Sequence, residues 1–365
     1  MDFEKFEIRK VQLPLKNPFE TGFGEIRNRE VVILMCFDDE RFYYGEASAQ
    51  FAPLYNHEYT EAVIEFMERF AIPAIRNAES IEEYRESISG YKGNLMAKSA
   101  GEMLLHNRKM IEEEKNLSEL FEGEEERAEC GVSIGIQENP EQLVDKVRKY
   151  RKKGYSRAKI KIRSGNDVKY VKAVRDEFPD YDLMVDANSN YNLEDRERIQ
   201  KFDEFNLQMI EQPLGHRDIV NHSILSQDLD TPICLDESIR SPEDVRRASK
   251  LDACSIINLK PQRVGGIQAS KEINSICEEK DIDLWIGGLV ESGIGAMYQL
   301  AAASMSQVAH PSDIAPQSRY FRETIMDKPE MKNGHIEIPS NPEFESKINH
   351  KKLEKFTEKK IEVRG

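Results

Sequence analysis

The chain has 365 residues, enough for one large barrel and a smaller accessory domain with well-buried cores. Its 67 acidic residues outnumber its 52 lysines and arginines, and the resulting formal net charge of −15 argues against a nucleic-acid or anionic-membrane partner. The start MDFEKFEIRKV lacks an apolar signal core and no stretch approaches the ~20 apolar residues of a membrane span, so we expect a cytoplasmic protein without a membrane partner.

Residues 1–125 are predicted to form an α+β domain. An initial strand, FEIRKVQLPL, precedes the apolar runs EVVILMCF and FYYGEASA, which are joined by a polar turn and indicate an antiparallel meander. Helical patterns follow in YTEAVIEFMERFAI, SIEEYRESI and KSAGEMLLHNRKMIEEEK. The charged run EGEEERAE at 122–129 is predicted to be the linker to the next domain, with a solvated turn of no boundary role as the alternative.

From 126 to 320, short apolar runs alternate with amphipathic stretches. Eight candidate strands begin near positions 131, 158, 183, 208, 233, 255, 284 and 308. The helical segments between them carry Ser241 and either Asn166 or Asp167 as N-caps and Gly154 as a C-terminal stop. Strand and helix in alternation predict a closed parallel sheet. The cysteines include no CxxC pair and several fall in strands, so we expect reduced core thiols.

Five residues suited to metal chemistry recur at nearly one interval in this region. Lys161, Asp186, Glu211, Asp236 and Lys260 are separated by 25, 25, 25 and 24 residues, about one strand plus one helix of a (β/α) barrel. Each lies at or near the end of an apolar run, where such barrels carry their chemistry. Three carboxylates from adjacent strands would repel each other without a cation, and oxygen ligands suit Mg²⁺, with Mn²⁺ as a substitute.

The two lysines of this set predict proton abstraction next to a carboxylate. Lys161 falls on the second strand and Lys260 on the sixth, so the two face each other across the mouth of an eight-strand ring. A metal between them would neutralise the charge that develops when a proton leaves. Lys159 projects on the same side of its strand as Lys161, and a cation there would favour the neutral, basic form of Lys161.

The motifs that contain these residues resemble a known superfamily. KIK, DAN, EQP, DES and NLKP, at 159, 186, 211, 236 and 258, resemble the enolase superfamily, muconate-cycloisomerase-like subgroup. Four further segments, PFETGFGEIRNRE, PLYNHEYTE, GGLVESGIG and HPSDIAPQSRYF, resemble the o-succinylbenzoate synthase / N-acylamino acid racemase family more narrowly. The resemblance covers nearly the whole chain. It implies a modified (β/α)8-type barrel, (β/α)7β-like, over residues 126–320, with an α+β capping domain built from residues 1–125 and a returning tail, 321–365.

The resemblance also implies roles for individual residues. Asp186, Glu211 and Asp236 would be Mg²⁺ ligands, with Lys161 as the base and Lys260 on the opposite face. The implied substrate contacts are Ser133, Lys159, Asn188, Gly288, Val290, Phe23 and Tyr55. Phe23 and Tyr55 could equally belong to the core of the capping domain.

The implied substrate is a small-molecule carboxylate. The family reaction is the dehydration of 2-succinyl-6-hydroxy-2,4-cyclohexadiene-1-carboxylate to o-succinylbenzoate, a step of menaquinone biosynthesis, through an enediolate. The alternative is racemisation of N-succinylamino acids, in which both lysines exchange protons with the α-carbon. Since the same two lysines serve both reactions, the sequence does not separate the two activities. A homo-oligomeric state is also left open.

Other classes fit the residues less well. Acid-sugar dehydratases of the superfamily use a late-strand histidine as base, and this chain has Lys260 on its sixth strand. Dipeptide epimerases and muconate cycloisomerases share the lysine pair but differ from the segment 310–321. A barrel with only a binding or structural role would have no need of the five residues together.

Overall fold

The computed structural model describes residues 3, 5–21, 24–38, 41–326, 329–339 and 345–364, without the side chains of 18–21, 24, 25 and 345. Its strands are β1 (Lys5–Thr21), β2 (Gly24–Phe37), β3 (Phe42–Ala47), β4 (Arg127–Glu129), β5 (Gly131–Ile134), β6 (Arg157–Lys161), β7 (Asp182–Asp186), β8 (Ile210–Glu211), β9 (Ile233–Leu235), β10 (Ile256–Leu259), β11 (Asp283–Ile286), β12 (His335–Glu337) and β13 (Thr357–Arg364). Its α-helices are α1 (Thr60–Phe66), α2 (Ile72–Asn77), α3 (Ile81–Ser89), α4 (Leu95–Glu112), α5 (Pro140–Lys152), α6 (Val168–Glu177), α7 (Arg196–Ile199), α8 (Ile219–Gln227), α9 (Pro242–Lys250), α10 (Pro261–Val264), α11 (Ile267–Lys280), α12 (Gly293–Ala302) and α13 (His350–Phe356).

The first sheet is antiparallel and has the order β13-β1-β2-β3. It contains the predicted meander, and β13 from the end of the chain adds the outer strand. Helix α4 packs directly on β3, because Gly45 leaves no side chain between them: a Cβ there would lie 1.9 Å from the carbonyl oxygen of Ala100. We call this four-stranded sheet with helices α1–α4 the capping layer.

The second sheet is parallel and has the order β11-β10-β9-β8-β7-β6-β5. The eighth predicted strand, near 308, is irregular and makes two isolated bridges, from Val308 to Leu284 and from Ser312 to Cys130. Pro311 lies between them, and since it has no N–H it cannot continue a hydrogen-bonded ladder. The bridges nevertheless connect this segment to both edges of the sheet, which closes the barrel and confirms the (β/α)7β-like class.

The barrel helices mostly follow the sequence signals. Ser241 caps α9 by accepting a hydrogen bond from Asp244 N at 3.3 Å, and Asp167 caps α6. One prediction differs, since the helix expected over 193–205 contains only the single turn α7 between two 3₁₀ segments. Phe202 and Phe205 are three positions apart and both buried, a spacing that the three-residue turn of a 3₁₀-helix satisfies.

The charged run predicted as a linker ends in a strand. Its last residues form β4, which pairs antiparallel with β12, so that Glu129 lies opposite His335 and Arg127 opposite Glu337. The tail therefore contacts the barrel through β12 before β13 reaches the capping layer. All five cysteines are buried, as predicted. In the described part of the chain, no helix combines the length and apolarity that crossing a membrane requires.

Candidate functional site

A cavity of about 480 Å³ lies at the carboxyl ends of the parallel strands, between the barrel and the capping layer. Most of the predicted site residues line it together: Tyr55, Ser133, Lys159, Lys161, Asp186, Asn188, Asp236, Lys260, Gly288 and Val290. Glu211 is fully buried and contacts the lining residue Lys159. Phe23 is outside the described residues. The regular spacing in the sequence therefore corresponds to one place in the fold.

Strand register explains this convergence. In the pairing of β6, β7 and β8, Lys161 lies opposite Asp186, and Asp186 opposite Glu211, so three predicted residues end their strands at one level. Below them Met184, Met209, Cys234, Ile256 and Trp285 form a buried cluster of apolar side chains. Along a strand every second side chain points into the barrel, so these apolar residues form one layer and the polar residues form the next layer, at the mouth.

Asp186 and Glu211 share one cationic partner. The Nζ of Lys159 lies 3.6 Å from Asp186 Oδ2 and 3.0 Å from Glu211 Oε2. Burial raises the pKa of Asp186, but Lys161 and Lys159 outweigh it and the pKa is lowered overall. Burial and the neighbouring Asp186 raise the pKa of Glu211. These two carboxylates thus converge on a position that a positive charge stabilises.

Asp236 has different partners. Its Oδ2 lies 2.8 Å from the Nζ of Lys260, and its Oδ1 accepts hydrogen bonds from Arg263 and, at 3.1 Å, from the hydroxyl of Tyr55. Among the described residues no group of three acidic, histidine or cysteine side chains is arranged as a ready metal site. Asp186, Glu211 and Asp236 are at most 2% exposed and offer only oxygen atoms as ligands, and Glu211 Oε2 has only the ammonium group of Lys159 as its partner among the described residues. This donor set suits a hard divalent cation that replaces the ammonium groups now neutralising it.

The two predicted catalytic lysines lie in unlike environments. The side chain of Lys161 is 38% exposed to the cavity, donates to Asn188 Oδ1 and lies 3.4 Å from Asp186 Oδ2. The side chain of Lys260 is only 8% exposed. Burial lowers the pKa of Lys260, but the nearby acidic groups and Tyr55 dominate and raise it. Lys260 is therefore buried and held by protein groups, while Lys161 is the lysine open to a ligand.

Lys159 is held by acids on several sides. Besides Asp186 and Glu211, it contacts Asp313 Oδ2 at 2.8 Å, and its Nζ lies 4.6 Å from the ring centre of Trp285. Burial lowers the pKa of Lys159, but the three carboxylates outweigh it and raise the pKa. The expected cation next to Lys161 is thus present. With a side chain only 6% exposed, however, it is tied to protein groups and offers little of itself to a substrate.

Asp313 is a site residue that sequence reasoning missed. It follows the irregular eighth segment, contacts Lys159 and accepts a hydrogen bond from Arg157 at 3.2 Å. Burial raises the pKa of Asp313, but Lys159 and Arg157 lower it to about 2. The HPSD sequence at the end of an apolar run was the available signal, since an acid at that position reaches the same mouth as the other strand ends.

Gln212 is a second missed residue. Its backbone is left-handed, with φ 40°, and its side chain is fully buried between β8 and β9. The Oε1 atom accepts from Asp236 N at 3.0 Å and Ser238 N at 3.3 Å, while Nε2 donates to Ser238 Oγ at 2.8 Å and Leu214 O at 3.1 Å. Every polar atom of the amide is satisfied, so Gln212 fixes the backbone that presents Asp236.

The capping layer contributes Tyr55. Its hydroxyl accepts from Lys260 Nζ at 3.1 Å and from Arg263 Nη1 at 3.0 Å, and its ring centre lies 4.7 Å from Lys260 Nζ. Tyr55 also packs against the apolar core of the capping layer, so it has both of the surroundings that the sequence left open. Its side chain brings the capping layer against Lys260.

Comparison with known proteins gives consistent results. Residues 142–342 match the family described as Enolase C-terminal domain-like. A Listeria innocua protein named o-succinylbenzoate synthase is 36% identical over 367 residues, covering 100% of this chain and 98% of the relative. An Amycolatopsis protein named N-succinylamino acid racemase is 36% identical over 345 residues, covering 94% of each chain. A solved Listeria innocua structure, described as a member of the enolase superfamily, has a TM-score of 0.94 at 36% identity and covers 100% of this chain and 99% of that one.

Proposed function

This chain belongs to the enolase superfamily, in the family of o-succinylbenzoate synthases and N-succinylamino acid racemases, and we propose that it is an o-succinylbenzoate synthase. It would convert 2-succinyl-6-hydroxy-2,4-cyclohexadiene-1-carboxylate to o-succinylbenzoate and water, a lyase step of menaquinone biosynthesis. Full-length similarity to proteins with the synthase name carries the proposal, for example 36% identity over 364 residues to the Bacillus subtilis relative. The five regularly spaced residues gathered at one mouth support it chemically.

In the proposed reaction, Lys161 is the base. Its Nζ takes the proton from the carbon next to the substrate carboxylate, which gives an enediolate, and returns that proton to the departing hydroxyl. The C–H and C–O bonds break on one face of the ring, a C=C bond forms, and water leaves as the ring becomes aromatic. The 38% exposure of the Lys161 side chain supports this role, because a base must reach the substrate.

Lys260 would stay protonated through the cycle. The Tyr55 hydroxyl accepts a hydrogen bond from its Nζ at 3.1 Å, and the Tyr55 ring lies 4.7 Å from that Nζ, contacts that suit an ammonium group. On the wall opposite Lys161, that charge would face the developing anion and stabilise it electrostatically.

Asp186, Glu211 and Asp236 would hold a divalent cation, which we propose is Mg²⁺ with Mn²⁺ as a substitute. When bound, it would neutralise the second negative charge on the substrate carboxylate as the α-proton is removed. The convergence of Asp186 and Glu211 on one ammonium group supports a cation site there. Residues 1–125 and 321–365 would cap this barrel, 126–320, and exclude bulk water from it.

Racemisation of N-succinylamino acids is the second candidate. Relatives named N-succinylamino acid racemase also match most of the chain, including one from Thermus thermophilus at 35% identity over 342 residues, or 93% of this chain. Lysines on opposite walls could exchange the α-proton on either face of an amino acid. Lys260 would then have to lose and regain a proton during turnover, whereas dehydration needs only its charge.

The test measures both activities on one preparation. Purified protein with Mg²⁺ is assayed for dehydration and for racemisation of N-succinylamino acids, and we expect the larger kcat/KM for dehydration. A racemase rate far above the dehydration rate would reverse this order. Lys161→Arg should abolish dehydration and α-proton exchange with deuterium, because a guanidinium is not a base near neutral pH. Lys172→Arg is the control, since Lys172 is exposed on α6; activity retained in Lys161→Arg would remove Lys161 from the mechanism.

A further inference from the structure

Five cationic side chains line the cavity, and they differ in how many protein groups already contact their charge. They are Arg29, Lys159, Lys161, Lys260 and Arg319. Lys159 and Lys260 are in salt bridges with buried acids, and Lys161 lies at the proposed reacting centre. The two arginines remain as groups that could bind a second anionic part of a ligand.

Arg29 has no donor left to offer. Its Nη1 donates to the carbonyl oxygens of Glu30 at 2.6 Å and Ala49 at 2.7 Å, and its Nη2 to those of Ser48 and Leu289. Its Nε also donates to Leu289 O at 3.2 Å. All five N–H groups of a guanidinium are thereby used by the backbone. Arg29 is a buried structural connection between the capping layer and the turn that follows β11.

Arg319 is placed differently. Its guanidinium lies over three tyrosine rings, with centres 4.6 Å away for Tyr150, 5.4 Å for Tyr320 and 5.9 Å for Tyr155. Its Nη2 donates to Ser133 O at 2.6 Å, while its Nη1 has no hydrogen-bond acceptor within the part of the chain that the structure describes. Arg319 also lines the cavity, where the backbone has not engaged its guanidinium as fully as that of Arg29, and hydrogen bonds from a guanidinium to a carboxylate are strong.

The acid near Arg319 is committed elsewhere. Asp313 is in contact with Lys159 at 2.8 Å and Arg157 at 3.2 Å, and both of these cations are buried. Asp313 is therefore engaged by two other cations, which leaves the charge of Arg319 available to a ligand. The three aromatic rings hold the guanidinium plane by cation–π contacts, so little side-chain freedom would be lost when it binds a ligand.

The position of Arg319 fits one end of an elongated ligand. Ser133 lies on β5, where it pairs with Lys159 of the adjacent β6. Asp186, Glu211 and Asp236 lie at or beside the ends of β7, β8 and β9, further around the ring. A ligand whose reacting carboxylate lies among those acids, with its α-carbon next to Lys161, would extend its other end toward β5.

We propose that Arg319 binds the distal carboxylate of the substrate, so that the cavity selects dicarboxylates over monocarboxylates of the same shape. The inference rests on the proposed function for the position of the near carboxylate. It specifies what that function leaves open, namely the protein group that recognises the succinyl end. One charge-assisted hydrogen-bonded contact of this kind corresponds to roughly 10- to 100-fold in affinity.

The test compares a dicarboxylate with a monocarboxylate analogue that lacks the distal charge. Binding of o-succinylbenzoate and of 2-butyrylbenzoate, which has a methyl group in place of the distal carboxylate, is measured by calorimetry at saturating Mg²⁺. We expect the wild type to prefer o-succinylbenzoate by roughly 10- to 100-fold. Arg319→Met should bring that ratio close to one with little change for 2-butyrylbenzoate, and Arg319→Lys should restore part of it. Arg322→Met, at an exposed position three residues on, is the matched control and should keep the wild-type ratio.

The ratio separates recognition from a merely structural role. If Arg319 only supports the tyrosine cluster, its replacement will weaken both ligands equally, and that result would overturn the proposal. So would a wild type that does not distinguish the two ligands. An unchanged ratio in an Arg319→Met enzyme whose wild type dehydrates its substrate refutes the subsite and leaves the synthase function standing. If the affinity ratio of the two ligands is lost in Arg319→Met but the wild type has no dehydratase activity, the subsite is supported and the synthase function is refuted.

Discussion

Glu58 offers a quantitative test of how the capping layer is built, through the substitution Glu58→Gln. Its carboxylate is 3% exposed and accepts hydrogen bonds from Leu95 N at 2.9 Å and Met96 N at 3.0 Å, at the start of α4. The N-cap residue of that helix, Asn94, makes no side-chain capping bond, so Glu58 serves in its place. Burial raises the pKa of Glu58 to about 7, although these N–H groups oppose the rise.

The direction in which stability changes with pH follows from proton linkage. Between the ordinary glutamate pKa of 4.5 and about 7, the folded protein keeps a proton on Glu58 that the unfolded chain has released. The free energy of unfolding therefore falls as pH rises through this window, and the full loss, about 3 kcal/mol, is present above it. Glutamine does not titrate. From pH 5 to pH 8, the stability of Glu58→Gln relative to wild type should improve by about 2 to 3 kcal/mol.

The assay is urea unfolding at several pH values, followed by fluorescence of Trp285, which is fully buried and is the one tryptophan of the sequence. Glu86→Gln, at an exposed position on α3, is the control and should show no such pH-dependent gain. If the stability difference between Glu58→Gln and wild type is the same at pH 5 and pH 8, the buried carboxylate does not hold its proton as argued.

Two further substitutions test residues that hold the charged side chains of the cavity in place. Asp313→Asn should lower the free energy of unfolding at pH 7 by about 2 kcal/mol, because the depressed pKa of about 2 stabilises the folded protein at that pH. In the wild type this stabilisation is lost as the pH falls from 4 to 2, so acid unfolding of the variant should be less steep over that range. Unchanged acid unfolding would contradict this. Gln212→Leu should weaken Mn²⁺ binding about 10- to 100-fold in an electron-paramagnetic-resonance titration, since it frees the backbone of Asp236. Exposed Gln227→Leu is its control, and equal Mn²⁺ affinity in both variants would argue against the role of Gln212.

Much of the fold could be predicted because the barrel signal is periodic. Each apolar run is short, each is followed by an amphipathic stretch, and residues such as Ser241 and Asp167 mark where helices begin. The eighth strand and the helix over 193–205 departed from the prediction for local reasons. Pro311 interrupts a ladder, and the three-residue spacing of Phe202 and Phe205 favours 3₁₀ turns, neither of which apolar periodicity alone reports.

The position of the site could be predicted from the sequence, but the contacts between its side chains could not. Lys161, Asp186 and Glu211 could be placed together because parallel strands end at one edge. The contact from Tyr55 to Lys260 joins residues 205 positions apart, and no local pattern encodes such a pairing. Which carboxylate neutralises which ammonium group depends on side-chain reach across the barrel, and strand spacing does not determine it.

These long-range contacts also bear on how a substrate could enter. Glu46 of β3 is fully buried and accepts a hydrogen bond from the backbone N of Ser292 at 3.0 Å, just before α12, while Arg29 of β2 donates to Leu289 O at 2.9 Å. Both connect the capping sheet to the loop that follows β11. Rotating the sheet away from the barrel would leave a buried carboxylate and a buried guanidinium without these partners, which costs more than moving a loop exposed to solvent. We therefore expect a substrate to enter the cavity without rotation of the capping sheet.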